Sequence, residues 1–116
     1  MTDSTWHDVC GLDDLVPGTG VAALIEDEQI ALVRACDGVV VYALSNYDPF
    51  SRAQVIARGI VGDRSGVPKI ASPIYKQNFD LCTGQCLDDA TVSIETYPVR
   101  VVAGRIQVAV DGKRST

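Results

Sequence analysis

Apolar positions in the first third of the chain come in short runs that are broken by turn-forming residues. The breaks are Pro17-Gly18, the polar stretch Glu26-Asp27-Glu28 and Asp37-Gly38. An Asp-Gly pair between two apolar runs is a strong hairpin signal, and the β-branched and aromatic run Val39–Leu44 that follows it is typical of a strand. This third is predicted to form a three-stranded antiparallel meander, preceded by a short strand at Trp6–Val9.

The middle of the chain, residues 45–89, has a different composition. It contains three of the five prolines, and turn-forming residues at this density argue against a long helix. Lys69–Ala71 and Asn78–Leu81 are predicted to be short strands, whereas Ala53–Ala57 is too short for periodicity to separate a helical turn from a strand. Three glycines lack the Lys-Ser/Thr that follows a phosphate-binding loop, and they predict turns: Gly59, Gly62 and Gly66.

The last third returns to a pattern of strands. Residues Ala90–Thr96 alternate between apolar and polar side chains, which is typical of a half-buried strand. After a bend at Tyr97-Pro98, Ala103-Gly104 separates two apolar runs and predicts a second hairpin. The polar residues 111–116 are predicted to fray.

Short strands at this spacing are typical of a β-sandwich or a small barrel. A chain of 116 residues is long enough for one core and too short for two. We therefore expect a single all-β domain spanning residues 1–116. Residues 1–44 and 90–116 are expected to form its main body, with the loop-rich stretch 45–89 inserted as a smaller subdomain.

The charge balance narrows the classes of partner. The chain has 15 acidic and 10 basic residues and a net charge of −5, and an acidic surface repels both the phosphate backbone of nucleic acids and anionic membranes. No apolar run approaches the roughly 18 residues of a membrane span, and the N-terminal residues lack the basic and apolar regions of a signal peptide. We expect a cytoplasmic protein that binds neither nucleic acid nor membrane.

Four cysteines are expected to be reduced in that compartment, and the sequence leaves their role open. Cys10, Cys36, Cys82 and Cys86 are enough for a four-thiolate zinc site, although only the last two are spaced as a pair. The alternatives are buried free thiols and a reversible Cys82–Cys86 disulfide. The single histidine, His7, has no neighbour that suggests nucleophilic catalysis, and no acid–base pair stands out, so a self-sufficient enzyme is disfavoured.

The most specific pattern lies in two proline-containing segments of the middle. Val40–Phe50, and Pro73 followed by Phe79-Asp80-Leu81 and Thr83-Gly84, resemble the two ligand-bearing boxes of Rieske iron–sulfur proteins. In that family the boxes supply two cysteines and two histidines that bind a [2Fe–2S] cluster. The resemblance implies a Rieske-like fold, with Tyr97–Val108 as its closing hairpin.

Carried over position by position, the resemblance places other side chains where the cluster ligands would be. Asp48 and Phe50 stand at the first cysteine and histidine, and Ser72 and Tyr75 stand at the second pair. Phe50 has no lone pair to offer, and the oxygens of Asp48 and Ser72 are hard ligands that suit an iron–sulfur centre poorly. Because His7 is the only histidine, the chain is predicted to hold no cluster, and we expect no other cofactor or metal in it.

A Rieske-like domain with Asp48-Pro49-Phe50 in its first box and Ser72-Pro73 in its second resembles the small subunit of the assimilatory NAD(P)H-dependent nitrite reductase. Arg58-Gly59, Lys76-Gln77 and Gly84-Gln85-Cys86 add to the resemblance. It implies a large-subunit partner that carries FAD, an iron–sulfur cluster and sirohaem, and that reduces nitrite to ammonium. The chain itself would assist that partner in nitrate and nitrite assimilation and have no catalytic activity alone. The alternative is a cluster-free β-sandwich adaptor or ligand-binding module unrelated to nitrogen metabolism.

Two hypotheses remain for the former ligand positions. In the first, Phe50 and Tyr75 pack apolar surface while Asp48 and Ser72 cap loop amides. In the second, this end of the domain docks the partner, because aromatic residues beside Arg or Lys are typical interface anchors. The second hypothesis assigns the docking to five residues: Tyr47, Phe50, Arg52, Tyr75 and Lys76.

The basic residues of the middle segment bear on the second hypothesis. They either converge into a patch that fits an acidic surface of the partner, or they are separately solvated. The residues concerned are Arg52, Arg58, Arg64, Lys69 and Lys76.

Overall fold

A computed structural model of the protein describes residues 5–110. These residues form short strands and two single-turn 3-10 helices, Leu12–Asp14 and Ile56–Arg58, so the predicted all-β fold is confirmed. Neither helix in this part of the chain is long or apolar enough to cross a membrane. The strands are β1 (His7–Gly11), β2 (Gly20–Ile25), β3 (Glu28–Arg34), β4 (Val41–Ser45), β5 (Tyr47–Asp48), β6 (Ala53–Gln54), β7 (Ile60–Arg64), β8 (Val67–Ala71), β9 (Asn78–Asp80), β10 (Thr96–Tyr97), β11 (Val99–Val102) and β12 (Arg105–Val108).

The first sheet has the order β10-β4-β3-β2 and contains the predicted meander. Glu26 and Asp27 have φ angles of 48° and 68°, as the tight turn between β2 and β3 requires. The predicted strand at Val39 begins two residues later, at Val41. The Asp37-Gly38 hairpin needs Val39 and Val40 to complete its turn, since the Ala35 amide donates to the Val40 carbonyl.

The second sheet has the order β1-β12-β11 and contains the predicted hairpin at Ala103-Gly104. It packs on the first sheet through a shared core, in which Ile106 and Val108 of β12 meet Ile30 and Leu32 of β3. The two sheets together give the sandwich that the strand spacing predicts.

A third sheet, β7-β8-β9, and the small pair β5-β6 are both formed within residues 45–89. They cover the other face of the meander through a second core, where Ala31 and Val33 meet Ile70 and Phe79. Strand β3 is therefore buried on both faces, which explains its unbroken apolar run. On this basis we propose residues 45–89 as the inserted subdomain.

Two local predictions are wrong, one at Gly62 and one at Ala90–Thr96. The turn expected at Gly66 is confirmed, because Ser65-Gly66 joins β7 to β8. Gly59 also closes a turn, since its amide donates to the Ile56 carbonyl at the end of the 3-10 helix. The turn expected at Gly62 is wrong: Gly62 lies inside β7, opposite Lys69. Within Ala53–Ala57, both alternatives occur in succession, because β6 ends just before the 3-10 helix begins.

The strand predicted at Ala90–Thr96 is also wrong, except for its last residue in β10. The Ile94 amide donates to Gly84 and the Cys86 amide donates to Val92, so this stretch runs along an irregular loop rather than along a strand. Apolar and polar side chains still alternate in this loop, because Ile94 packs into the second core. The expected fraying of 111–116 lies outside the described residues.

Candidate functional site

Two loops with the same hydrogen-bond pattern form one end of the inserted subdomain. We call them the tip loops: residues 48–52 and residues 72–76. In each, proline is the second residue, and the side-chain oxygen of the first residue accepts from the amide of the third. These bonds are Phe50 N to Asp48 Oδ1 at 2.9 Å and Ile74 N to Ser72 Oγ at 3.4 Å. Asp48 and Ser72 therefore each cap a loop amide, as the first of the two hypotheses for these positions predicted.

The fifth residue of each tip loop closes a second, matching bond. The Arg52 amide donates to the Asp48 carbonyl at 2.7 Å, and the Lys76 amide donates to the Ser72 carbonyl at 3.1 Å. Their φ angles are 60° and 63°, in the left-handed region that costs a residue with a side chain about 1 kcal/mol. Glycine would avoid this cost, yet both positions hold a long basic side chain.

A buried hydrogen bond joins the two tip loops at their first residues. The Ser72 hydroxyl donates to the Asp48 carboxylate at 2.5 Å, and both side chains are almost completely buried. The Ser51 hydroxyl donates to the same carboxylate at 2.9 Å. Asp48 thus accepts from three donors, counting the Phe50 amide, which holds the two loops side by side.

The aromatic residues of the site behave differently from one another. Phe50 is half-buried, and its ring lies 6.2 Å from that of Phe79, which belongs to the second core. Tyr75 is 61% exposed, so the prediction that it packs apolar surface is wrong: the second tip loop carries it on the surface. Ile74, 47% exposed, was missed by the sequence analysis, although it is the third residue of its loop, as Phe50 is of the other.

The remaining members of the predicted docking set are exposed. Tyr47 is 39% exposed, and Arg52 and Lys76 lie on the surface as well. The structure therefore brings the two tip loops together and presents these side chains around them.

The other basic residues of the middle segment do not all belong to this surface. Arg64 pairs with Asp88 at 3.0 Å, at the far end of β7. Lys69 is half-buried in β8, opposite Gly62.

The donor set of the tip loops does not fit the [2Fe–2S] cluster that Rieske proteins carry. Phe50 has no atom that binds metal, and the nearest oxygens, those of Asp48 and Ser72, are committed to each other. Carboxylate and hydroxyl oxygens are hard ligands, whereas the cluster iron is held by thiolates and imidazoles. His7, the single imidazole, lies in β1 of the second sheet rather than in the tip loops.

The four cysteines are free thiols in different surroundings. Cys36 and Cys82 are exposed, Cys86 is buried in the second core, and burial raises the pKa of the half-buried Cys10. Among residues 5–110 no three potential metal ligands of the Cys, His, Asp or Glu type gather, so the four-thiolate zinc alternative is wrong. The core position of Cys86 beside an exposed Cys82 favours free thiols over a pair.

Residues 5–109 match a family described as the Rieske-like [2Fe-2S] domain. The chain thus belongs, by fold and by its pair of tip loops, to the class of Rieske-like domain proteins. It is 42% identical over 105 residues to the nitrite reductase (NADH) small subunit of Escherichia coli K12, covering 90% of this chain and 97% of that one. A crystal structure described as that of an NADH-dependent nitrite reductase small subunit from Mycobacterium tuberculosis superposes with a TM-score of 0.87, at 49% identity and 99% coverage of both chains. The chain therefore belongs to the nitrite reductase small subunit family.

A further relative differs in kind. The nitrite reductase [NAD(P)H] large subunit of Klebsiella oxytoca is 39% identical over 103 residues, which span 89% of this chain and 11% of that protein. In that organism a segment similar to the present chain is part of a large-subunit polypeptide. The family assignment excludes the alternative of a β-sandwich module unrelated to these enzymes.

Proposed function

We propose that this chain is the small subunit of an NAD(P)H-dependent nitrite reductase, and that it assists the large subunit without carrying a redox centre. The observation that carries the proposal is the large subunit of Klebsiella oxytoca, in which a segment 39% identical to this chain is part of the polypeptide itself. A domain that is fused in one organism and separate in another is expected to occupy the same place in both assemblies. We accordingly expect one copy of the chain for each large subunit.

The roles of the two subunits follow from the cofactors that each can bind. The large subunit is expected to bind FAD, an iron–sulfur cluster and sirohaem, and to pass six electrons from a nicotinamide cofactor to nitrite, giving ammonium. The small subunit contributes by contact, since Asp48, Phe50, Ser72 and Tyr75 offer no set of ligands for a Rieske cluster. A reducing cytoplasm suits its four free thiols, and its acidic character supports a protein partner rather than a nucleic acid.

Copurification tests this function. A tagged form of the chain, coexpressed with the large subunit of the same organism, is expected to retain it at a ratio of one to one. Nitrite-dependent oxidation of NADH or NADPH by the large subunit is expected to rise when the chain is present, while the chain alone reduces no nitrite. Failure to retain the large subunit, together with an unchanged rate, would contradict the proposal. A Rieske-type paramagnetic signal from the reduced, reconstituted chain alone would contradict its cluster-free part.

A further inference from the structure

The tip loops and the residues that flank them differ in charge from the rest of the chain. Residues 45–59 and 71–79 contain three basic side chains, Arg52, Arg58 and Lys76, and all three are exposed. The one acidic residue of these segments, Asp48, is fully buried. Three of ten basic and one of fifteen acidic residues leave seven basic and fourteen acidic residues for the remainder of the sequence. A small positive surface therefore sits on an otherwise acidic protein.

Apolar side chains lie within this positive surface. Ile74 and Tyr75 at the end of the second tip loop are 47% and 61% exposed, and Tyr47 beside the first is 39% exposed. An aromatic and an aliphatic anchor flanked by basic groups is the composition of an interface core with a charged rim. A shallow pocket of about 220 Å³ beside Tyr47 has Glu95 in its wall, so acidic charge begins again at that border.

Two other exposed apolar side chains, Leu24 and Val39, lack this combination. Leu24 and Val39 are more exposed than Tyr75, but each stands next to a hairpin turn that carries acidic residues. Such scattered apolar residues are ordinary on protein surfaces.

Hydrogen bonds hold the two tip loops, and with them their basic and apolar side chains, in a fixed arrangement. The buried Ser72–Asp48 bond fixes one loop against the other, and each loop is closed on itself by the amide of its basic residue. The left-handed backbone at Arg52 and Lys76 aims two same-sign side chains from matched positions of the two loops. A surface that is ordered before binding loses less conformational entropy on association.

We propose that the tip loops are the surface through which this chain docks on the large subunit, at an apolar patch of that partner with an acidic rim. Ile74 and Tyr75 enter the apolar patch, and Arg52 and Lys76 meet the acidic rim. This inference rests on the proposed function, because it names the docking surface of the same complex.

The test measures the affinity of purified wild-type and variant chains for the large subunit at two ionic strengths. Arg52→Gly/Lys76→Gly removes both charges but keeps a residue suited to the left-handed backbone, so the chain is expected to melt no earlier than wild type. Its affinity is expected to fall about tenfold, with a weaker dependence on salt. Ile74→Ala/Tyr75→Ala changes exposed side chains and is expected to lower affinity by more than about tenfold with little change in melting temperature.

Two control variants separate the effects. Ser65→Gly/Ala103→Gly makes the same kind of backbone change in hairpin turns outside the tip, at φ angles of 52° and 51°. Arg100→Gln/Arg105→Gln removes two positive charges from the second sheet. Both controls are expected to bind within about twofold of wild type.

Each outcome bears on a different claim. If the wild-type chain does not bind the large subunit, the proposed function fails and the docking surface fails with it. If the wild type binds and both tip variants bind equally well, the function stands and the tip is not the docking surface. A change in self-association of the chain alone, seen by sedimentation of the tip variants, would assign the surface to a second copy and likewise overturn the inference.

Discussion

At the scale of single residues, Asp48 is the group on which the tip depends most. Its carboxylate is fully buried and accepts hydrogen bonds from the Phe50 amide and from the hydroxyls of Ser51 and Ser72. Removing a buried acceptor leaves its donors unsatisfied, which costs more than the net value of the bonds themselves. Asp48 thus caps the first tip loop and joins it to the second.

Asp48→Ala is expected to lower the free energy of unfolding by about 3 kcal/mol, because three donors lose their partner. Asp48→Asn keeps the oxygen that caps the Phe50 amide and is expected to cost about half as much. Urea unfolding followed by circular dichroism measures both values. A cost below about 0.5 kcal/mol for the alanine variant would show that the hydrogen bonds of Asp48 contribute little to the stability of the fold.

The sequence was informative about this site to different degrees at different residues. The spacing around Pro49 and Pro73 was enough to predict that Asp48 and Ser72 cap loop amides, because an acceptor two residues before a free amide is a local feature. The exposure of Tyr75 was not predictable, since an aromatic side chain at a loop end packs or projects according to neighbours that are distant in sequence. Ile74 was overlooked for the same reason.

At the scale of elements, Gly84 fixes the path between β9 and β10. Its φ angle is 80°, and a Cβ added there would overlap the carbonyl oxygen of Ile94. The backbones of Gly84 and Ile94 lie close together here, and the Ile94 amide donates to the Gly84 carbonyl at 2.8 Å. Gly66 has a similar φ of 88° but no atom within 4 Å of such a Cβ, which makes it a matched control.

Gly84→Ala is expected to destabilise the fold by more than about 3 kcal/mol, because it combines left-handed strain with a clash against backbone. Gly66→Ala is expected to cost about 1 kcal/mol, since strain alone is at work there. Thermal unfolding of the two variants gives the comparison. Equal losses of stability in the two variants would mean that the clash with the Ile94 carbonyl adds nothing to the cost of Gly84→Ala.

Asp88 ties the loop after β9 back onto the third sheet. Its carboxylate accepts from the Asn78 amide at 2.8 Å and pairs with Arg64 at 3.0 Å. The hydrogen bond from the Asn78 backbone and, after it, the Arg64 guanidinium hold the pKa of Asp88 below its ordinary 3.8. A lowered pKa in the folded state means that the stabilisation is complete above the ordinary pKa and is lost as pH falls through the folded value.

Asp88→Asn is therefore expected to be less stable than wild type at pH 7, by no more than about 1 kcal/mol because water screens this exposed group. The difference is expected to shrink towards zero as pH falls below the ordinary pKa of 3.8. Urea midpoints of both proteins, measured at neutral pH and in acid, test it. A difference that stays constant or grows in acid would contradict the assignment.

The strands that the sequence predicts correctly are those whose turn signals lie between the paired strands themselves. The meander and the final hairpin have their turn residues between paired strands, so Asp37-Gly38 and Ala103-Gly104 were sufficient. Strand β7 was missed because Gly62 imitates a turn, and only the pairing with β8 keeps it extended. Ala90–Thr96 has a strand's alternation, but its partner around Gly84 is a turn, and no ladder can form along it.

At the scale of the whole molecule, the fold is that of a Rieske-like domain, and its tip loops carry a donor set that does not fit a [2Fe–2S] cluster. Two cores share the meander between them, so the tip loops are carried on a rigid sheet rather than on a free arm. Charge is also unevenly distributed: residues 45–59 and 71–79 expose three basic side chains, whereas the rest of the sequence has seven basic and fourteen acidic residues. A protein so arranged is suited to oriented association with a partner.

We propose that the chain acts on nitrite reduction by contact and not by electron transfer. It is tested most directly by titrating the purified large subunit with this chain, stripped of metal by a chelator, and measuring ammonium formed from nitrite with a nicotinamide cofactor as electron donor. We predict a rate that rises to a plateau at one chain for each large subunit, and the same curve for a chain first subjected to iron–sulfur reconstitution. A rise seen only with the reconstituted chain would contradict it.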